Sequence, residues 1–383
     1  MLGLLAAEFS GTAQTWVQAN APDANWYGVA ASADGTRLAA ALDFYWIYTS
    51  TDSGSNWTAS GSPMGNWVAI ASSADGLKLA AISNPGGGTI YTSTNGGTDW
   101  TPTSAPGYSW WRIASSADGT KLCAVAQFGP IDTSTNGGGT WLTNDAPANG
   151  VWEDVASSAD GTKLCAVAAN NGPIYVSTNS GAHWALTTAP HLFWTSVASS
   201  ADGTKLAAAA FGNPVYLSTD SGQTWTPAAG TPSQYWESIA SSADGTRLFA
   251  VAGAYMINQS NYFSLDSGQT WALADAPAMD WQGVTCSADG SRVAAVVGAN
   301  NSSGPIYSAQ YPAPAPTLNI QSAGAQAMIS WYMTTTPFQL LENTNLATTN
   351  WTAVAAAPVQ TNLQNQVTVT NNRPKDFYRL RGM

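Results

Sequence analysis

Charge is what this sequence has least of: 12 basic and 23 acidic residues in 383, so that Asp, Glu, Lys and Arg make up only 9% of the chain. A chain this poor in charge and rich in Gly, Ser, Thr, Asn and Trp has neither the composition of a helical protein nor that of a disordered one; it reads as turn-rich and all-β. Basic residues are the scarcest. Residues 1–312 hold 21 acidic and 8 basic side chains and residues 313–383 hold 2 and 4, which argues against nucleic acid and anionic membrane as partners. Cysteine is nearly absent too. Cys123, Cys165 and Cys286 are odd in number and lack metal-ligand spacing, so neither a disulfide framework nor a metal site is expected, and no motif calls for a cofactor. No apolar run approaches the roughly 20 residues of a membrane span. The start, MLGLLAAEFSGTA, has no basic segment and only a short apolar run. It is compatible with the remnant of a signal peptide, and a secreted, periplasmic or cell-surface monomer is the expectation.

What the chain does have is a repeat. Trp-x-x-[Val/Ile] followed by a [Ser/Ala]-Ser-Ala-Asp-Gly turn occurs seven times, starting at Trp26, Trp67, Trp110, Trp152, Trp194, Trp236 and Trp281, at intervals of 41, 43, 42, 42, 42 and 45 residues. Each unit reads as four short strands with turn signals between them, which describes a propeller blade. Seven of the eight basic residues before 313 (Arg37, Lys78, Lys121, Lys163, Lys205, Arg247 and Arg292) occupy one repeat position, leaving only Arg112 free for chemistry.

The third turn of the unit reads S-T-D-S-G-S-N-W, S-T-N-G-G-T-D-W, S-T-N-G-G-G-T-W, S-T-N-S-G-A-H-W, S-T-D-S-G-Q-T-W and S-L-D-S-G-Q-T-W. Its Asp or Asn can bond the turn's own backbone, and its glycine supplies a positive φ. These turns resemble the Asp box of bacterial neuraminidase repeat (BNR) propellers, a resemblance that spans residues 10–311 and implies that the boxes are structural and lie away from the active face. The seventh unit has no box; the segment around Trp16 matches the missing fourth strand. The expectation is a seven-bladed β-propeller over residues 1–311, closed by an N-terminal strand. A Pro-rich linker, 312–316, then leads to a small C-terminal β-sandwich-like domain of fibronectin-III or Ig type, 317–383.

Function is sought where repeats differ. The residues after the blade-start tryptophans include Trp111 and Arg112 on blade three, Glu153 and Asp154 on blade four, and Glu237 on blade six. Tyr45, Trp46, His191 and Tyr255 fall in loops opening on the same face. Rings and carboxylates suit sugars, whose C–H faces stack while hydroxyls bond. A propeller that binds glycans or another extracellular protein, with Trp111, Arg112, Trp46, Tyr45, His191 and Tyr255 in contact, is the first expectation. The alternative is a glycoside hydrolase or polysaccharide lyase using Glu153, Asp154 and Glu237: for a channel radius of roughly 7 Å the strands of Glu153 and Glu237 lie about 11 Å apart, within reach of an inverting carboxylate pair. Sialidases of the resembling family hold their substrate's carboxylate with three arginines. Only Arg112 is available here, so exo-sialidase activity is not expected, and sortilin-type receptors and photosystem II assembly propellers carry similar boxes without catalysis.

Overall fold

The computed structural model describes residues 15–84, 87–147, 150–253, 260–298, 303–313, 318–323, 326–333, 338–343, 351–361, 363–370 and 377–382. Among them every regular element is a β-strand. The first repeat forms an antiparallel meander, Trp26–Ala31, Leu38–Leu42, Tyr48–Ser50 and Thr58–Ala59, each strand pairing with the next. The second strand, LAAAL, is buried at every position; a strand enclosed on both faces carries an apolar run in place of alternation. Its alanines suit sheets that converge toward an axis, where larger side chains would hold neighbours apart. The two-residue fourth strand is exposed.

The inner strands touch one another in succession, Trp26–Ala31 lying between Trp67–Ser72 and Trp281–Cys286. The result is a β-propeller. The blade-start tryptophans are wedged between sheets, none more than 2% exposed, and six of them receive a tyrosine from the third strand edge-on, as Trp67 does Tyr91 at 5.3 Å. In the blade starting at Trp110 that position is Asp132, and Tyr108 packs on the tryptophan instead, also at 5.3 Å. The last meander, Trp281–Cys286, Arg292–Val297 and Ile306–Gln310, is joined by Val17–Gln18, with Val17 opposite Ser308. Two pairs of blades share a sheet: Leu122–Gly129 continues onto Gly150–Ser157, and Leu206–Asn213 onto Gln234–Ser241. These joins arise where the loop after the second strand is short enough to extend the hairpin, a detail the repeat pattern does not signal.

One end of the propeller is regular. In each Ser-Ala-Asp-Gly turn the serine hydroxyl donates to the aspartate, which also accepts the backbone N–H two residues on; Ser158 and Thr162 bond Asp160 at 2.6 and 2.9 Å. Gly161, at φ +67°, is required twice over, because a Cβ there would lie 2.8 Å from Lys121 of the preceding repeat. Neighbouring turns are linked by alanine backbones. Ala33 N–H donates to Ala74, and the series runs through Ala117, Ala159, Ala201, Ala243 and Ala288 back to Ala33, every bond 2.7 or 2.8 Å. The turn cations bridge outward in the same way, as Arg292 does to the Asp34 carbonyl at 2.8 Å. The third turns bond internally: Asp220 accepts from Ser218 and Thr224, and Trp225 Nε1–H donates to the Gly222 carbonyl at 3.0 Å.

The C-terminal residues form two sheets, one from Asn319–Ala323, Gln326–Tyr332, Gln364–Thr370 and Val359–Thr361, the other from Thr352–Ala353, Phe338–Asn343 and Phe377–Gly382. Ile329, Trp331, Leu340 and Val367 are buried in their common core. Trp351 is half-buried, and the Arg379 guanidinium lies 4.3 Å over its ring. Tyr332, Met333 and Leu363 pack on the alanine ring, and Leu363, in the left-handed conformation at φ +62°, lines a cavity of about 140 Å³ at that end of the channel. The three cysteines are free thiols; burial pushes Cys123 and Cys165 far up and Cys286 up to about 12, which leaves them unreactive.

Candidate functional site

The opposite end of the channel is built from the residues that follow the blade-start tryptophans. In all seven repeats the pairing of the inner strand shifts register between the tryptophan and the second residue after it. Such a bulge re-aims side chains, and here it brings consecutive residues, such as Glu153 and Asp154, to the mouth. Arg112, Asp154 and Glu237 line a cavity of about 150 Å³ together with Tyr27, Thr195 and Gln282.

Trp111 and Glu153 meet across neighbouring blades: the indole Nε1–H donates to Glu153 Oε1 at 3.0 Å. Arg112 Nη1 donates to the carbonyls of Val68 and Trp111, at 3.2 and 3.1 Å, and its guanidinium sits 4.8 Å over the Trp111 ring. Trp111 therefore holds Glu153 with one edge and Arg112 with its face, and the stacking platform read from the sequence is taken up inside the protein. Burial raises the Glu153 carboxyl above its ordinary range, opposed by the Arg112 charge and the Trp111 bond.

Asp154 staples two blades. It accepts from the Ser196 hydroxyl at 2.8 Å and from the Val197 N–H at 2.9 Å. Ser196 in turn accepts from Ile239 N–H, and Ser238 from Val284 N–H, both at 3.2 Å. In three successive blades the same position thus satisfies the next blade's backbone, a need the sequence does not display. Burial raises Asp154 as well, with Arg112 opposing.

Glu237 differs. Burial pushes its carboxyl up to about 7, helped by the neighbouring Asp280 and Glu153 charges and opposed by Arg112. It lies beside Gly253, where a Cβ would come within 2.9 Å of its Cγ and Oε1. A carboxyl raised in this way titrates near neutrality, the range in which a group can either donate a proton or accept one.

The structure thus brings together Trp111, Arg112, Glu153, Asp154 and Glu237. Tyr45, Trp46 and His191 are exposed and do not line this cavity; Tyr45 and Trp46 sit on the turn between Leu38–Leu42 and Tyr48–Ser50, farther from the axis than the inner strands, and His191 sits on the loop that leads from Ala185–Leu186 to Trp194–Ser199. Tyr255 lies outside the described residues. Sequence reasoning missed Asp280, although Trp281 alone among the blade-start tryptophans is preceded by a carboxylate. Among the described residues no group of three or more His, Cys, Asp or Glu could hold a metal ion.

No protein-family model matches the chain, and no curated protein matches it. Solved structures do. A GH74 xyloglucanase from Xanthomonas campestris is 16% identical with a TM-score of 0.61, covering 83% of this chain and 59% of that one; this chain therefore spans under two thirds of the enzyme's length. YCF48 bound to a D1 peptide is 14% identical with a TM-score of 0.59, covering 78% and 95%. U3-55K is 10% identical with a TM-score of 0.63, covering 77% and 98%. At such identities the likeness shows the propeller fold alone.

Proposed function

We propose that the chain is a seven-bladed Asp-box propeller, closed by its N-terminal strand, that recognises a carbohydrate end at the open channel mouth. Closure is supported by the alanine bonds that return to Ala33 and by the pairing of Val17 with Ser308. The observation that carries the ligand reading is the lining of the mouth: a guanidinium, carboxylates, hydroxyls and an amide converge from different blades on one cavity. Its volume, about 150 Å³, is below the roughly 300–1,000 Å³ of sites that enclose a drug-sized ligand. It therefore suits one terminal sugar unit with the remainder of the chain outside.

One observation favours a second reading. Glu237, poised near neutrality beside Asp280, has the character of a general acid, and a xyloglucanase is among the similar folds. A panel of oligosaccharides and polysaccharides separates the two when binding and product release are measured together. Recognition predicts binding that Arg112→Ala and Gln282→Ala each weaken at least about tenfold, with no product. Catalysis predicts product release that Glu237→Gln reduces by about two orders of magnitude or more while binding persists. A panel that neither binds nor reacts would overturn both.

A further inference from the structure

A larger cavity, about 450 Å³, opens away from the channel, between the segment that enters the first blade and the loop after Leu38–Leu42. Its walls include the rings of Phe44, Tyr45 and Tyr48 and the carboxylates of Asp23 and Asp43, and no Lys or Arg is among its described lining residues. Of the eight basic residues before 313, seven belong to the Ser-Ala-Asp-Gly turns at the far end of the strands and the eighth, Arg112, lines the channel. Among its described residues this cavity therefore presents aromatic rings and negative charge without a Lys or Arg.

The loop is held in a conformation its sequence disfavours. Phe44 lies three residues before the buried Ile47 and has φ +61°; the same position of other blades is Gly87, Phe128, Asn171 and Gly212, at φ +126°, +57°, +57° and +71°. Glycine and asparagine tolerate that region, whereas a phenylalanine there is strained. Neighbours enforce it: Asp43 N–H donates to the Asn25 carbonyl at 3.1 Å, and the Tyr45 carbonyl accepts from Gly65 N–H at 3.0 Å and from Trp67 Nε1–H at 3.1 Å. The strain gains no core, because Phe44 is 66% exposed. Tyr48, by contrast, is fixed edge-on against Trp26 at 5.6 Å and gives the cavity a rigid wall.

We infer that this cavity is a second ligand site, taking an organic ammonium group between the Phe44 and Tyr45 rings and the Asp23 and Asp43 carboxylates. Ring faces attract cations through their quadrupole, and a carboxylate adds charge attraction that a neutral ligand does not feel. Burial raises the Asp43 carboxyl, and a bound cation would offset that cost. The site is independent of the channel mouth.

Calorimetric titration at pH 7 and low ionic strength tests this with three probes: choline, n-butylamine as the head of a lysine side chain, and 3,3-dimethylbutan-1-ol as the neutral isostere of choline. At least one cation should bind, at least about tenfold more tightly than the isostere, and which cation binds better separates a quaternary amine from a protein lysine as the source. Asp43→Asn should weaken that cation about tenfold. Phe44→Gly should weaken it at least about threefold while leaving the melting temperature unchanged or higher, a combination that a merely structural role for Phe44 would not produce. Equal binding of the isostere, intact cation binding in Phe44→Gly, or no binding of either cation would each overturn the assignment.

Discussion

At the end of the channel where the Ser-Ala-Asp-Gly turns gather, all the repeats do the same thing; at the other end each does something different. The contrast extends to the carboxylates. Burial alone would raise the turn aspartates Asp34, Asp75, Asp118, Asp160 and Asp202, yet serine hydroxyls and backbone N–H groups outweigh it and each lies below its ordinary range. At the open mouth burial wins, and Glu153, Asp154 and Glu237 lie above theirs. The difference is one of balance. A turn that folds its own hydroxyl and N–H groups onto a carboxylate stabilises the charged form wherever the repeat recurs, whereas at the mouth burial outweighs the Ser196 and Val197 bonds to Asp154, the Trp111 bond to Glu153 and the Arg112 charge. The regular end is also the covered end, with Leu363 set against the alanine ring. The irregular end is open, which is why ligand chemistry is sought there.

The contrast depends on the ring's being continuous, and Trp16→Ala attacks that directly. Trp16 is 8% exposed and packs on Trp281 with ring centroids 5.5 Å apart, so truncation should cost about 3–5 kcal/mol, read as a fall in the denaturant midpoint. A loss below about 1 kcal/mol would mean that the N-terminal strand does not hold the last blade. Next in size is Glu237→Gln. The folded carboxyl titrates near 7 against an ordinary 4.5, so the folded state binds this proton more tightly. Its contribution is complete below about pH 4.5 and is lost as pH rises toward 7, by no more than about 3 kcal/mol. The Gln variant should lose less stability than the parent between pH 4.5 and 7.5 in thermal melts; parallel curves would place Glu237 in open solvent. At the regular end Asp160→Ala removes the bonds from Ser158 and Thr162 and should cost about 1 kcal/mol. Because the Asp160 pKa is lowered, its stabilisation is present above about pH 4 and fades as acid protonates it, opposite in sign to that of Glu237. Melts at pH 3 should therefore narrow the gap between parent and Asp160→Ala.

The propeller was legible because a strand–turn period of about 42 residues leaves few architectures open, and because turns such as Ser158-Ala159-Asp160-Gly161 satisfy their own hydrogen bonds from local sequence alone. The site was legible only as a list of departures from the repeat. Arg112, Glu153 and Glu237 stood out as charges where other blades have small or neutral residues, and they do meet. Their uses did not show: Asp154 is spent on the next blade's backbone, Trp111 on Glu153 and Arg112, and Asp280 acts on Glu237 from the adjacent blade.

Sequence by itself determined the all-β class, the repeat, the turn chemistry and the shortage of cations that leaves the open mouth with Arg112 alone. Tertiary structure decided which departures share a cavity, which carboxylates find donors, and which end of the channel Leu363 covers. The reason is physical. A turn's bonds join residues two to five apart, which a linear pattern can specify, whereas a carboxylate's protonation depends on burial and on charges arriving from blades about 42 residues away, which only packing brings within reach.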